Sequence, residues 1–382
     1  MRRVFYRAAL RLLPAGQAAL VYPELALAPE QSKKLRAILR RHRARSAELR
    51  LFDLSGQVHS ALYQGAGEPL QPDTSFRLAS ISKMVTALAV MKLAEQGRIE
   101  IDRDVNEWLP FALRHPQAPE APVTLRQLMS HTAGLQDGGD YTQALSSGRP
   151  VDQVLAGDSW RQVPPGHSWQ YSNLGAGLVA SVLEAALDEP FEGIMQGTLF
   201  APLGIAASFY PQRIASPLAG AWRVLPPDQR PSFDPAERRQ RSLAGADEPM
   251  PMQHYTLAQG NCCASAAGVQ ALMRCLMTPG FLSQQSIDSM LAPQATFGAR
   301  APMMRQGLGI FRLDDPAIFP GTLYGHQGNA YGAVHAAFFE PLSGRGLVFL
   351  STGAALSRRA FLCDVVEGLL AFGFSEATWQ RT

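Results

Sequence analysis

The clearest strand-like runs of apolar and polar positions lie towards the two ends of the chain. Ala47-Glu48-Leu49-Arg50-Leu51-Phe52-Asp53-Leu54 and Gln57-Val58-His59-Ser60-Ala61-Leu62-Tyr63 read as two strands, with Ser55-Gly56 as the tight hairpin between them. Gly332–Glu340 and Arg345–Thr352 read as a second pair, joined by Pro341-Leu342-Ser343-Gly344. Between these pairs the pattern is helical. Ile81–Leu93 is a mostly apolar run stopped by Gly97, and shorter helices are expected over Leu125–Ser130 and Ala266–Met277. Leu174–Leu187, Ala-rich, and Arg358–Phe372, at the close of the chain, complete the set. From 211 to 259, eight prolines and the cluster Arg238-Arg239…Arg241 leave little periodicity, so a long surface excursion or lid is expected there rather than core.

Strands at both ends with helices between them predict an α/β (α+β) fold. One antiparallel sheet is built from both termini and flanked by helices, with a mainly helical subdomain inserted. An N-terminal extension over 1–31 precedes a single domain over 32–382. Its sheet region covers about 32–80 and 260–372, its helical region about 81–210, and its Pro-rich excursion 211–259.

With 382 residues and 46% hydrophobic content, the chain can bury a large core. No apolar run has the length of a membrane span, so no integral membrane segment is expected. The net charge of +3 is unevenly spread: residues 1–50 carry 12 Lys/Arg against 3 Asp/Glu. The run from Lys33 to Arg45 is read as the solvated face of an N-terminal helix with Leu35, Ile38 and Leu39 turned inward. No recognition motif accompanies it, so nucleic acid is not an expected partner. Met1-Arg2-Arg3 and Ala26-Leu27-Ala28 look like parts of a secretion signal, but Pro14, Gly16 and Gln17 break its apolar region, and a cytoplasmic location is expected. Cys262, Cys263, Cys275 and Cys363 form no CxxC and no zinc-like pairing with histidine, so buried free thiols are expected.

Chemistry enters with Phe76-Arg77-Leu78-Ala79-Ser80-Ile81-Ser82-Lys83. Residues three apart share a helical face, so the Ser80 hydroxyl and the Lys83 amine can meet. A serine needs a base to become a nucleophile, and a desolvated lysine can be one. The chain has only four lysines (Lys33, Lys34, Lys83, Lys92) against 31 arginines, which cannot give up a proton. A second signal is Tyr171-Ser172-Asn173 just before a helix; a third is Gly325-His326-Gln327-Gly328-Asn329, leading into the late strands.

In that order, S-x-x-K, Y-S-N and H-x-G resemble the three motifs of the serine β-lactamase and DD-peptidase superfamily, in its class C-like branch of esterases, D-aminopeptidases and related hydrolases. Leu125–Leu135 looks like that family's characteristic loop, and Phe200-Ala201-Pro202-Leu203-Gly204-Ile205 like its "PLG" element, so the resemblance covers about residues 32–372. It implies Ser80 as acylated nucleophile, Lys83 as its base, and Tyr171 as the group that passes the proton to the leaving group. It further implies that Asn173 holds Lys83 and the substrate, and that the backbone N–H groups of Ser80 and Asn329 form an oxyanion hole, with Gly328 allowing close approach.

Two departures matter. The resemblance implies that true β-lactamases and DD-peptidases carry lysine at the place of His326 and threonine or serine at Gln327, where they recognise a carboxylate, whereas H-x-G forms occur in the esterase and aminopeptidase branches. A mostly neutral histidine should bind that group more weakly. Cys262-Cys263 stand where the family has a small polar stretch, and the two thiols are expected to alter the cleft wall.

The expected activity is hydrolysis of an ester or amide of a small molecule or short peptide, with no metal and no cofactor. Acyl transfer to an alcohol or amine is the alternative, followed by β-lactamase or DD-carboxypeptidase action and then by a non-catalytic acyl sensor. His131 is read as structural; His167, His254 and His335 show no ligand spacing. Gly175-x-Gly177-x-x-Ala180 follows no strand and is not a nucleotide site. The chain has neither a G-x-S-x-G elbow nor a Walker A lysine.

Overall fold

The two ends of the chain meet in one antiparallel sheet in the computed structural model, which describes residues 19–65, 69–224, 229–233 and 245–379. Across the sheet the strands run Ala19–Val21, Val58–Gln64, Ser46–Asp53, Arg345–Ser351, Ala333–Glu340, Leu323–Ala330, Phe311–Leu313, Met304–Gln306 and Ala295–Thr296. The seam between the termini is the pairing of Ser46–Asp53 with Arg345–Ser351, in register from Ala47↔Ser351 to Asp53↔Arg345.

Successive side chains of a strand point to opposite faces, and here both faces are covered. Leu49, Leu51, Ala61, Tyr63, Phe338, Leu347 and Phe349 pack on one side with the helices Pro29–Arg41 and Asp364–Gly373. Phe52, Leu62, Phe339, Val348 and Leu350 face the other side and the helix Ile81–Glu95. That helix is apolar around its whole circumference, as suits an element enclosed on every side. The N-terminal helix buries Leu35 and Leu39 and exposes Lys33, Lys34, Arg36, Arg40 and Arg41. Among the described residues no helix is long and apolar enough to cross a membrane.

Two expectations need correction. The stretch 211–259 is not a surface excursion throughout. Ala221–Val224 pairs with Gln229–Phe233, and Ala221 packs against Ala333. His254, Tyr255, Leu257 and Ala258 are buried. They lie on the helix Asn173–Leu187 because Gly177 has no side chain: a Cβ there would sit 1.7 Å from the Tyr255 carbonyl oxygen. Glu184, on the same helix, accepts hydrogen bonds from His254 Nδ1 at 2.6 Å and from the Met250 backbone N–H at 2.9 Å. These contacts are polar and long-range, so no periodicity announced them. Arg238, Arg239 and Arg241 fall outside the described residues.

The closing helix starts at Asp364, not at Arg358. The Gln327 side chain holds the preceding loop, donating from Nε2 to the Phe361 carbonyl at 2.9 Å and accepting from the Cys363 N–H at 3.1 Å. The backbone there is committed to Gln327 and cannot enter a helical ladder.

Substituting Gly177→Ala should push the 254–258 segment off its helix. We expect a loss of about 1–3 kcal/mol, as for other overpacked sites, read as a lower urea midpoint. A midpoint equal to that of the parent protein would show that the close approach does not constrain the fold.

Candidate active site

The strand Ser75–Arg77 feeds a turn in which Ala79 takes φ 51°, a conformation that costs an alanine about 1–2 kcal/mol. Ser80 follows as the N-cap of the helix Ile81–Glu95, yet its side chain makes no capping hydrogen bond. A serine at such a position ordinarily spends its oxygen on the first turn of the helix. Here the hydroxyl is left to the site, where it meets Lys83 Nζ at 3.3 Å and is hydrogen-bonded to Tyr171.

Lys83 lies one turn along and is only 4% exposed. Its amine also donates to Asn173 Oδ1 at 2.8 Å and to the Gln259 carbonyl at 2.6 Å. Burial is the main cause that pulls its pKa down to about 7; Arg77 pushes in the same direction and Asp137 opposes both. A neutral amine has two protons and one lone pair. With Asn173 and Gln259 taking the protons, the lone pair is left for the Ser80 hydroxyl.

Tyr171 packs among rings: His131 at 4.4 Å between centroids, Phe361 at 6.1 Å, and the Lys83 amine 5.0 Å from its own ring centre. Burial raises its phenol well above the ordinary range, so it keeps its proton at rest. His131 clamps the chain on both sides of it. The His131 carbonyl accepts from the Gln170 N–H at 2.9 Å, and its Nδ1 accepts from the Ser172 N–H at 3.3 Å.

The third motif is itself a strand, Leu323–Ala330. A Cβ on Gly328 would lie 2.3 Å from the Leu78 carbonyl oxygen, so only glycine lets this strand pass the turn before Ser80. Asn329, with its amide turned so that both ends are satisfied, accepts from Arg358 Nη2 at 3.2 Å and donates to the Gly328 carbonyl at 3.0 Å. His326 stacks on Phe311 at 3.9 Å and donates from Nδ1 to the Gln327 carbonyl at 2.6 Å. Burial, with Lys83 nearby, pulls its pKa down to about 3, so it is a neutral ring and not a stand-in for a lysine.

Ser80, Tyr171, Asn173, His326 and Asn329 thus line a single cleft of about 340 Å³, with Lys83 and Gly328 directly behind its wall. Arg77, Leu145, Arg223, Phe311, Tyr331, Arg358 and Phe361 are among the other residues of the wall. The two adjacent thiols do not belong to it: Cys262 and Cys263 are fully buried, in and beside the strand Cys263–Ser265 that pairs with Ser75–Arg77. The expectation that they alter the cleft wall is therefore corrected; the neighbouring residues that line the cleft are Gln259 and Gly260.

Several residues around the cleft had no signal in the sequence. Gln259 contributes a backbone carbonyl, which no side-chain motif can mark. Asp137 takes hydrogen bonds from Ser172, Asn173 and Leu174 at the start of their helix. Arg358 and Phe361 were read as helix. Among the described residues no cluster of His, Cys, Asp and Glu could hold a metal ion.

The profile of the family described as Beta-lactamase matches residues 35–369. The chain belongs to the beta-lactamase family. Esterase EstB of Burkholderia gladioli is 29% identical over 359 residues, which span 83% of this chain and 85% of that one. Of the solved structures, EstCE1, described as a hydrolase with promiscuous acyltransferase activity, aligns with a TM-score of 0.71 at 22% identity, covering 92% of this chain and 98% of its own. The D-amino acid amidase of Ochrobactrum anthropi SV3 aligns with a TM-score of 0.67 at 20% identity over 90% of this chain and 98% of its own. At such identities the two structures speak for the fold. In this family member the S-x-x-K helix, the Y-S-N segment and the H-x-G strand converge on one cleft.

The two histidines beside Tyr171 should have opposite tautomers, Nδ1–H at His326 and Nε2–H at His131, set by the partner of the other nitrogen. Nitrogen-15 spectra of the rings between pH 5 and 9 should show neither one titrating. A His326 signal that moves with a midpoint near 6.5 would contradict its burial.

Proposed function

We propose that the protein is a serine hydrolase that cleaves an ester or amide of a small molecule or short peptide through an acyl-Ser80 intermediate. The observation that carries this reading is the state of Lys83, a buried amine with a pKa near neutrality and two acceptors besides the Ser80 hydroxyl. Ser80 Oγ attacks the substrate carbonyl while its proton passes to Lys83. The backbone N–H groups of Ser80 and Asn329 receive the oxyanion. The carbon–oxygen or carbon–nitrogen bond then breaks as Tyr171 gives its proton to the leaving group and is reprotonated from Lys83. Water then attacks the acyl carbon, losing a proton through Tyr171 to Lys83; the acyl carbon–Oγ bond breaks, Lys83 returns a proton to Ser80 Oγ, and the acid leaves. Asn173 keeps Lys83 in place and faces the acyl side of the substrate.

The relative named an esterase supports the ester branch, and the amidase with the same fold supports the amide branch. His326 brings no positive charge, which argues against a requirement for the carboxylate of β-lactams and DD-peptides. A second reading is acyl transfer: the same acyl-enzyme can meet an alcohol or amine instead of water, and EstCE1 is described as a hydrolase with promiscuous acyltransferase activity. The two differ only in what the open cleft admits after the leaving group departs.

Intact-protein mass spectrometry with p-nitrophenyl esters, a D-amino-acid amide and a cephalosporin tests the proposal. We expect a transient adduct on Ser80 with release of p-nitrophenol or of the D-amino acid; a persistent adduct without turnover would mark a sensor instead. Ser80→Ala should abolish both adduct and turnover, and undiminished labelling of that variant would sink the assignment. Lys83→Arg should be nearly as inactive as Lys83→Ala, because arginine keeps its proton. The amine must be neutral to accept a proton, so kcat/KM should fall as the pH drops below about 7 and level off above it. A flat profile between pH 5 and 8 would remove Lys83 as the base.

A further inference from the structure

Asp137 belongs to none of the three motifs and is exposed to solvent beside Asn173, yet its carboxylate receives three hydrogen bonds from the start of one helix. Oδ1 accepts from Ser172 Oγ at 3.1 Å and from the Leu174 N–H at 3.0 Å; Oδ2 accepts from Asn173 Nδ2 at 2.7 Å. An amide held by its nitrogen turns its oxygen the opposite way. In Asn173 that oxygen is the one accepting from Lys83 Nζ at 2.8 Å. Released, the amide could rotate by half a turn with little intrinsic preference, and its NH2 would then oppose the amine, donor against donor.

We propose that Asp137 is a positioning residue of the site: it fixes the amide of Asn173 so that Lys83 always finds an acceptor there and keeps its remaining lone pair for Ser80. This rests on the reading of Ser80 as nucleophile and Lys83 as base. Two further features agree with it. A carboxylate at a helix N-terminus is stabilised by the free N–H groups there, so Asp137 is itself well held. Its negative charge also bears on Lys83, raising the affinity of the amine for a proton against burial and Arg77.

The other groups facing Lys83 do not supply that charge. Ser80, Tyr171 and the Gln259 carbonyl are uncharged, and burial holds His131 and His326 neutral. Asp137 also bears on Tyr141 and Tyr171, whose phenols are raised chiefly by burial. Removing the carboxylate therefore has two separable consequences. Asn173 loses its anchor, which lowers the rate, and Lys83 loses an anion, which lets it shed its proton at lower pH.

The test compares Asp137→Asn and Asp137→Ala with the parent enzyme and with Ser80→Ala, measuring kcat and KM for one p-nitrophenyl ester from pH 5 to 9. Asp137→Asn keeps the shape and one acceptor but turns an NH2 towards Asn173 Nδ2. We expect kcat to fall roughly tenfold to a hundredfold, the loss typical of a misplaced reacting group, with KM nearly unchanged. The acid limb of the profile should move down by about half a pH unit or more. Asp137→Ala should show the same pair of changes, and thermal melting of both variants separates them from loss of fold. Parent-like kcat with an unmoved limb, in a protein that Ser80→Ala silences, would overturn the role of Asp137 alone. A drop in kcat and melting temperature together, with the limb unmoved, would overturn it too and leave a structural residue. Full activity in Ser80→Ala would instead bring down the underlying reading.

Discussion

The structure is organised around one buried amine. Lys83 stands in the first turn of an apolar helix, and an amine buried there without hydrogen-bond partners would carry a large desolvation cost. Three segments far apart in sequence supply them: the Ser80 turn, the Asn173 helix start and the Gln259 carbonyl. Each contact constrains the chain that provides it. The Ala79 backbone is strained to bring in Ser80, Asp137 fixes Asn173, and the 254–258 segment lies directly on Gly177 so that Gln259 arrives from above. The same burial pulls the pKa of the amine down to about 7, the property on which the proposal of Lys83 as a base rests.

The sheet places these parts. Its seam joins Ser46–Asp53 to Arg345–Ser351, and Leu323–Ala330, two strands further on, lies close enough to the Ser80 turn that Gly328 is required at the crossing. The catalytic cleft therefore depends on pairing between the two ends of the chain, which is costly to close but encloses the nucleophile helix between sheet and helices. Another part of the cleft wall comes from the loop before the last long helix. There Gln327 uses its amide to hold the 358–363 loop and so presents Arg358 and Phe361 to the cleft. The Gln327 side chain thus serves as a structural tether.

Much of this was legible beforehand. Alternation located the terminal strands, and the apolar run Ile81–Leu93 located the central helix to within two residues of its end at Glu95. The Ser80–Lys83 spacing, Tyr171 and Asn173 before a helix, and Gly328 before Asn329 identified one face of the site, because helix and strand periods fix which neighbours can meet. The 211–259 stretch and the start of the last helix were misread for one reason. Both are shaped by hydrogen bonds to distant side chains, Glu184 in one case and Gln327 in the other, and such bonds leave no period.

By itself, then, the sequence determined the fold class and the order of the main elements and pointed to the candidate site residues, through local periodicity and through motifs that resemble a known family. Only the tertiary structure decided the protonation and tautomer of those groups, the contributions of Gln259 and Asp137, and the composition of the cleft wall. Each of these is a matter of distance and burial: a pKa depends on how much water is excluded and which charges stand nearby, and neither is written along the chain.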